Sequence, residues 1–425
     1  MIDMDKFPVT DGGICAAKGF RASGYYCGIK AFMQTGADGN ESPVPGKKND
    51  IALVVADVVC NTAGVYTSNK VKGAPVVVTR DNLAVNGGRA KAVIVNSGNA
   101  NTCNGDGEEK ARAMCGMVAE KLGITPDMVI VASTGVIGQV LPLEPIQKAI
   151  DPLYDALSYT GNVEAATAIM TTDTVKKEYA VKFTVGGKEC TLGGMAKGSG
   201  MIHPNMATTL NFISTDCAVS SEMLQKALSQ VVKITYNCLS VDGDQSTNDT
   251  CMLMSSGLAG NAEITSEGAD FDAFKAALTQ VMANLTRMLA KDGEGATKLV
   301  TCVCTGAPDL DTAIIIAKSV IRSPLVKCAM YGADANCGRI MCAMGYADTD
   351  CDVTEADVYY ISKAGRILVC EKGLGLKFDE DLAKSILEED EIEIFVDLHR
   401  GSADATAWGC DLTYDYVKIN GDYRS

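Results

Sequence analysis

Short apolar runs alternate with helical patterns along the whole 425-residue chain, and no other feature restricts the fold as much. Residues 51–59, 74–79, 91–96 and 128–133 are rich in Val and Ile and read as buried strands. Residues 179–185, 210–214, 358–362 and 391–396 carry the same signal. Residues 108–122 read as a helix, because Ala111, Met114, Met117, Val118 and Leu122 fall on one stripe. Residues 221–236 and 271–291 also show helical periodicity. Strands and helices interleave without a clean βαβ repeat, so the chain is expected to be mixed α/β, α+β in its details. The glycine-rich stretch Asp292-Gly293-Glu294-Gly295 follows a long helical pattern and marks the expected lobe boundary. It gives a main domain of residues 1–291 and a smaller C-terminal α/β lobe of residues 292–425.

Composition narrows the function. The chain is 47% hydrophobic, enough for a large core. Its net charge of −15 repels phosphate backbones, so no nucleic-acid partner is expected. No apolar run approaches the roughly 20 residues that span a bilayer, and no membrane partner is expected. The N-terminus lacks the basic-then-apolar pattern of a secretion signal. The 17 cysteines are an odd, scattered set, which fits small buried thiols in a reducing cytoplasm. Cys302 and Cys304 alternate within an apolar run and would share one strand face. Two histidines are too few for most His-rich sites, and no metal is expected. Asp242-Gly243-Asp244-Gln245-Ser246-Thr247-Asn248 begins like a calcium loop, but Thr247 and Leu253 stand where the turn glycine and bidentate glutamate belong. Asn96-Ser97-Gly98-Asn99-Ala100-Asn101 reads as a strand-to-helix turn rather than an anion cradle.

One stretch suggests chemistry: Ala196-Lys197-Gly198-Ser199-Gly200-Met201-Ile202-His203-Pro204-Asn205-Met206-Ala207-Thr208-Thr209-Leu210. A threonine hydroxyl is a poor nucleophile until a base removes its proton. Cutting the peptide before a threonine supplies that base on the same residue, as an α-amine with a reference pKa of about 7.7–8.0. The same hydroxyl can make the cut by attacking the preceding carbonyl. Gly198 and Gly200 free the backbone, Pro204 fixes one φ, and Ala207 leaves the carbonyl before Thr208 uncrowded. Local composition by itself favours a plain glycine- and threonine-rich loop before a strand.

Residues 197–208 closely resemble the autoprocessing segment of the ornithine acetyltransferase (glutamate N-acetyltransferase) family of arginine biosynthesis. The likeness continues in order through residues 18–24, 62–69, 95–101, 133–138, 169–174, 240–244, 293–298, 407–414 and 420–425. The resemblance implies a layered α-β-β-α sandwich of the ornithine acetyltransferase/aminopeptidase type with a second, smaller lobe. It implies autocleavage between Ala207 and Thr208, giving an α segment of residues 1–207 and a β segment of residues 208–425. These would stay associated and pair as α2β2. Thr208 would be the nucleophile, and Thr134 with Gly135 the oxyanion-hole pair. Lys197, Thr208, Glu294, Asn420, Ser425 and one of Thr171 or Thr172 would contact substrate. Acetyl would pass from N2-acetylornithine to Thr208 and then to glutamate, with no resident cofactor; acetyl-CoA is a possible co-substrate.

Two departures stand out. Thr209 occupies a position where many members carry methionine. Residues 334–339 read Asp-Ala-Asn-Cys-Gly-Arg where the family pattern is Asp-Pro-Asn-Trp-Gly-Arg, so Ala335 and Cys337 are both smaller. His203 is not needed as a base, since the amine of Thr208 fills that role, and His399 reads as structural. The rival readings are an N-terminal-nucleophile amidase or aminopeptidase that releases its acyl group to water, and a non-catalytic binding protein on the same fold.

Overall fold

The computed structural model describes residues 2–30, 48–203 and 209–422. The first sheet contains β1 (Phe20–Tyr25), β2 (Ile51–Tyr66), β3 (Arg89–Asn99), β4 (Val129–Val136), β5 (Lys177–Val185), β6 (Lys188–Lys197), β7 (Leu210–Thr215) and β9 (Thr250–Ser255). Its order is β4-β3-β2-β9-β7-β6-β5, with β1 also paired to β2. The second sheet takes the two-residue β8 (Leu239–Ser240), then β10 (Leu299–Ala307), β11 (Asp357–Ser362), β12 (Gly365–Glu371), β13 (Leu374–Gly375), β14 (Glu391–Asp397) and β15 (Ala403–Cys410). Its order is β13-β12-β11-β14-β10-β15-β8.

The long strand β2 makes the layers. Its register against β3 slips between Val55 and Cys60, a bulge that bends the strand. Residues before the bulge pair with β1 and β3, and residues 61–66 pair with β9. The sheet therefore folds onto itself as two leaves. Side chains alternate along each strand, so Ala52, Val54, Val93 and Val95 of one leaf face Met195, Phe212, Met252 and Met254 of the other. The opposite set, Leu53, Val55, Ile94 and Val131, packs outward on α1 (Ala74–Val85), α2 (Gly107–Leu122) and α3 (Leu143–Asp155). Between the leaves' edges lies the short α4 (Asn162–Ala168), all of whose buried residues are alanines.

The outer face of the other leaf, with Val181, Phe183, Leu192 and Leu253, packs on α5 (Ser221–Ile234) and α6 (Ala269–Lys291). The layering is thus α-β-β-α, as the sequence led us to expect. Fully burying each such Val, Leu or Phe contributes roughly 1.5–3 kcal/mol. The same core continues past α6 to the second sheet, where β10 and β15 are covered by α7 (Leu310–Arg322). Beyond it come α8 (Pro324–Tyr331), α9 (Cys337–Gly345), α10 (Glu380–Leu387) and α11 (Tyr414–Asp422).

One sequence expectation is corrected. Residues 74–79 are not a strand but the first half of α1. Pro75 sits in the first turn, where its missing N–H costs nothing, and Val76 and Val78 find a core contact that outweighs their β preference.

Helix α9 is capped at its N-terminus by Asn336, whose side-chain oxygen accepts from the Arg339 N–H at 3.2 Å. Cys337 and Ala335 lie half-buried against the core there. The phenol of Tyr360 is buried without a hydrogen-bond partner.

Candidate active site

The ends of strands β4 and β6 converge. Thr134 and Gly135 lie near the end of β4, paired with Ser97 and Gly98 of β3. Gly135 has φ +128°, and a Cβ there would stand 2.2 Å from the Gly98 carbonyl carbon, so glycine is required twice over. Asn248 steadies this corner: its side-chain NH2 donates to the carbonyls of Ser133 (3.0 Å) and Ala100 (2.6 Å).

Lys197 is the last residue of β6 and is 8% exposed. Its ammonium donates to the Thr134 hydroxyl oxygen at 3.2 Å. Burial lowers its pKa, and the Asp173 carboxylate is the strongest opposing influence. Asp173 is held down to about 2, against its own burial, by Lys197 and Lys177. Its Oδ1 accepts from the Gly198 N–H at 2.7 Å and its Oδ2 from the Thr171 N–H at 3.0 Å. Thr172 points its hydroxyl at Ser199 Oγ, 2.6 Å away.

Glu294 arrives from the turn after α6. Its N–H donates to the Ser199 carbonyl at 2.8 Å, and its Oε2 accepts from the Asn420 side chain of α11 at 2.8 Å. Gly200 leaves room for this carboxylate, since a Cβ there would lie 2.3 Å from Oε2.

Together Thr134, Gly135, Thr171, Thr172, Lys197, Glu294 and Asn420 line one cavity of about 130 Å³. That volume suits a small polar metabolite; drug-sized ligands need roughly 300–1,000 Å³. Ala207, Thr208 and Ser425 lie outside the described residues. Thr209 and Leu210, which follow directly, line the cavity. Thr209 has φ +83°, its N–H donates to Asp249 Oδ1 at 2.7 Å, and its hydroxyl accepts from Asn211 at 2.6 Å.

Asp249, Asn248 and Ser246 also line the cavity, and our sequence reading did not single them out as site residues. The signal was a polar run just before the apolar strand β9, which pairs in parallel with β7 so that Thr250 neighbours Leu210. Other residues fall elsewhere. The His203 ring hydrogen-bonds Ser240 Oγ at 3.0 Å, and its pKa is held down to about 3, chiefly by burial, so the ring is uncharged near neutral pH. His399 pairs with Asp357 at 2.9 Å. Asp242, the first residue of the calcium-like run, accepts from the N–H groups of Met201 (2.6 Å), Ile202 (2.9 Å) and Asp244 (3.2 Å) and clips the loop leading away from Gly200. Cys302 and Cys304 are buried side by side on β10, with both thiols pushed up by burial. No cluster of three or more metal-binding side chains occurs among the described residues. Nor is any described helix long and apolar enough to cross a membrane.

Comparison with known proteins agrees with the sequence resemblance. A relative from Caldanaerobacter subterraneus subsp. tengcongensis, named arginine biosynthesis bifunctional protein ArgJ, is 47% identical over 98% of this chain and all of its own. Clostridium acetobutylicum ArgJ 1, of the same description, is 46% identical over 96% of each chain. Among solved structures, Bacillus halodurans ArgJ is 42% identical over 49% of this chain and 97% of its own, with a TM-score of 0.47. An ornithine acetyltransferase from Mycobacterium tuberculosis, solved with ornithine, is 35% identical over 48% of this chain and 100% of its own, with a TM-score of 0.40. The ArgJ family model matches residues 36–425, and the chain belongs to the ArgJ family.

Proposed function

We propose that this arginine-biosynthesis acetyltransferase moves acetyl from N2-acetyl-L-ornithine to L-glutamate through an acetyl ester on Thr208. The observation that carries the reading is the gathering of Thr134, Gly135, Lys197, Glu294 and Asn420 around one small cavity that Thr209 also lines.

In this scheme the hydroxyl of Thr208 attacks the carbonyl of Ala207, and water releases the resulting ester. The chain then consists of residues 1–207 and 208–425, which remain associated and pair as α2β2. The freed α-amine takes the hydroxyl proton as Thr208 attacks the acetyl carbonyl of the donor. Thr134 and the Gly135 N–H hold the developing oxyanion. Thr134 suits this role because its oxygen already accepts from Lys197, which leaves its O–H proton to donate. The amine of Thr208 returns the proton to the departing ornithine nitrogen. Glutamate's amine then attacks the ester and leaves as N-acetylglutamate. Lys197 binds the carboxylate that both substrates share, Glu294 with Asn420 handles the side-chain end, and Ser425 closes the site from the C-terminus. The reaction needs no resident cofactor, and it takes place in the cytoplasm.

The test is ornithine release from N2-acetylornithine with and without glutamate. Turnover that requires glutamate supports transfer. Turnover at the same rate without it means that water is the acceptor, as in an amidase. Binding with no turnover means a non-catalytic protein. Substituting acetyl-CoA for acetylornithine in the same assay decides whether it serves as a second donor.

A further inference from the structure

Three segments that furnish the cavity meet behind it on a single buried lysine. Lys177, at the start of β5, is wholly buried. Its ammonium donates to Asp173 Oδ1 at 2.7 Å, to Asp292 Oδ2 at 2.6 Å and to the Val175 carbonyl at 3.3 Å, so all its protons are used. Each carboxylate in turn ties down a site segment. Asp173 accepts from the N–H of Thr171 and from the N–H of Gly198, directly after Lys197. Asp292 accepts from the N–H and hydroxyl of Thr174 and stands two residues before Glu294. The two carboxylates and one ammonium leave one negative charge over, and the ammonium of Lys197 balances it.

We infer that Asp173, Lys177 and Asp292 act as positioning residues for acetyl transfer, fixing Lys197 and supplying its counter-charge so that it can hold a substrate carboxylate. A buried ion pair is weak evidence of a stability role, since apolar residues of similar volume often serve as well. A positioning role accounts for what apolar residues would not supply: fixed acceptors for two backbone N–H groups, and a field at Lys197. The charged groups acting on Lys197 are Asp173, Lys177, Asp249 and Glu294, with Lys30 from the segment before β2. Asp173 is the largest of these, and it opposes the burial that lowers the pKa of Lys197.

The charges make the two obvious substitutions act in opposite directions. Asp173→Asn removes the negative charge that acts most strongly on Lys197, so Lys197 loses its proton at lower pH. Lys177→Gln removes a like charge, so Lys197 keeps its proton to higher pH. The inference rests on the reading that Lys197 binds a substrate carboxylate, and two measurements keep the two ideas apart. The first needs no substrate: titration of lysine 13Cε signals by NMR, with Lys197→Arg identifying the resonance. We expect the Lys197 midpoint to fall by a pH unit or more in Asp173→Asn and to rise in Lys177→Gln. The second is the pH profile of kcat/KM, whose alkaline limb should move the same way. At pH 8 the KM for both substrates should rise about tenfold in Asp173→Asn, with a smaller change in kcat. Asp292→Asn, which leaves the Asp173–Lys177 pair intact, serves if Lys177→Gln does not fold; its midpoint should fall by less than that of Asp173→Asn. Midpoints that stay put, or that move the same way in Asp173→Asn and Lys177→Gln, overturn the inference. Midpoints that move while KM and its pH limb do not would overturn the assignment of Lys197 to the substrate carboxylate instead.

Discussion

The floor and the rim of the cavity are built differently. The floor consists of Thr134, Gly135 and Lys197 at strand ends, backed by the wholly buried Lys177 and its two aspartates. The rim consists of Glu294 on a turn and Asn420 on α11, a helix with no buried residue. Strand ends locked by backbone pairing and buried charge have few alternative arrangements, whereas a helix without buried contacts opens at little cost. The contrast matches the demands of two-substrate chemistry. Acetylornithine and glutamate share a carboxylate and a reacting amide or amine, which suits a rigid floor. They differ in the charge of their side chains, which suits an adjustable rim.

The comparison can be broken by substitution. Thr134→Val should act most strongly, because in the proposed scheme it removes an oxyanion donor, and it also strips Lys197 of its acceptor. The loss is expected to be about 10²–10³-fold in kcat, equivalent to about 2.7–4 kcal/mol, with a small change in KM. Steady-state kinetics on both substrates would check it, and an unchanged kcat would remove Thr134 from the oxyanion site. Glu294→Gln should come next. It discards the charge that, in the proposed scheme, attracts the ornithine side chain, so KM for acetylornithine should rise about tenfold, while KM for glutamate stays level or falls. Equal rises for both would mean that the rim does not discriminate. Asn420→Ala should be mildest, a few-fold in KM, since it removes one hydrogen bond at an exposed rim. An effect as large as that of Thr134→Val would show that α11 is as fixed as the floor.

Much of the fold was legible because the strongest signals were also the most regular. Helices α2, α5 and α6 carry clear apolar stripes, and the runs of Val and Ile along β3 and β4 fit buried strands. Strand β6 was passed over because Gly193 and Gly194 interrupt it. The structure shows why Gly193 is small: a Cβ there would lie 2.2 Å from the Gly13 carbonyl oxygen. Residues 74–79 misled because valine favours strands in isolation, and only the surrounding core reverses that preference.

At the site, the sequence pointed to Lys197, Glu294 and Asn420 only through a family resemblance, since an isolated Lys or Glu reads as a solvated surface charge. The choice between Thr171 and Thr172 was open. Both line the cavity, Thr171 anchored through its N–H and Thr172 through its hydroxyl. Lys177 and Asp292 could not have been paired in advance, because 115 residues separate them. No local pattern marks a buried charge whose partner lies that far along the chain.

The central claim is that acetyl rests on Thr208 between the two substrates. Its most direct test is a denaturing intact-mass spectrum of the purified protein after brief incubation with N2-acetylornithine, before and after glutamate is added. The account requires two fragments whose masses sum to that of the chain plus one water, with the one beginning at Thr208 heavier by one acetyl group until glutamate removes it. In Thr208→Ala the chain should stay whole and unlabelled. An uncut wild-type chain, or an acetyl group carried on Thr209 in a cut Thr208→Ala chain, would contradict it.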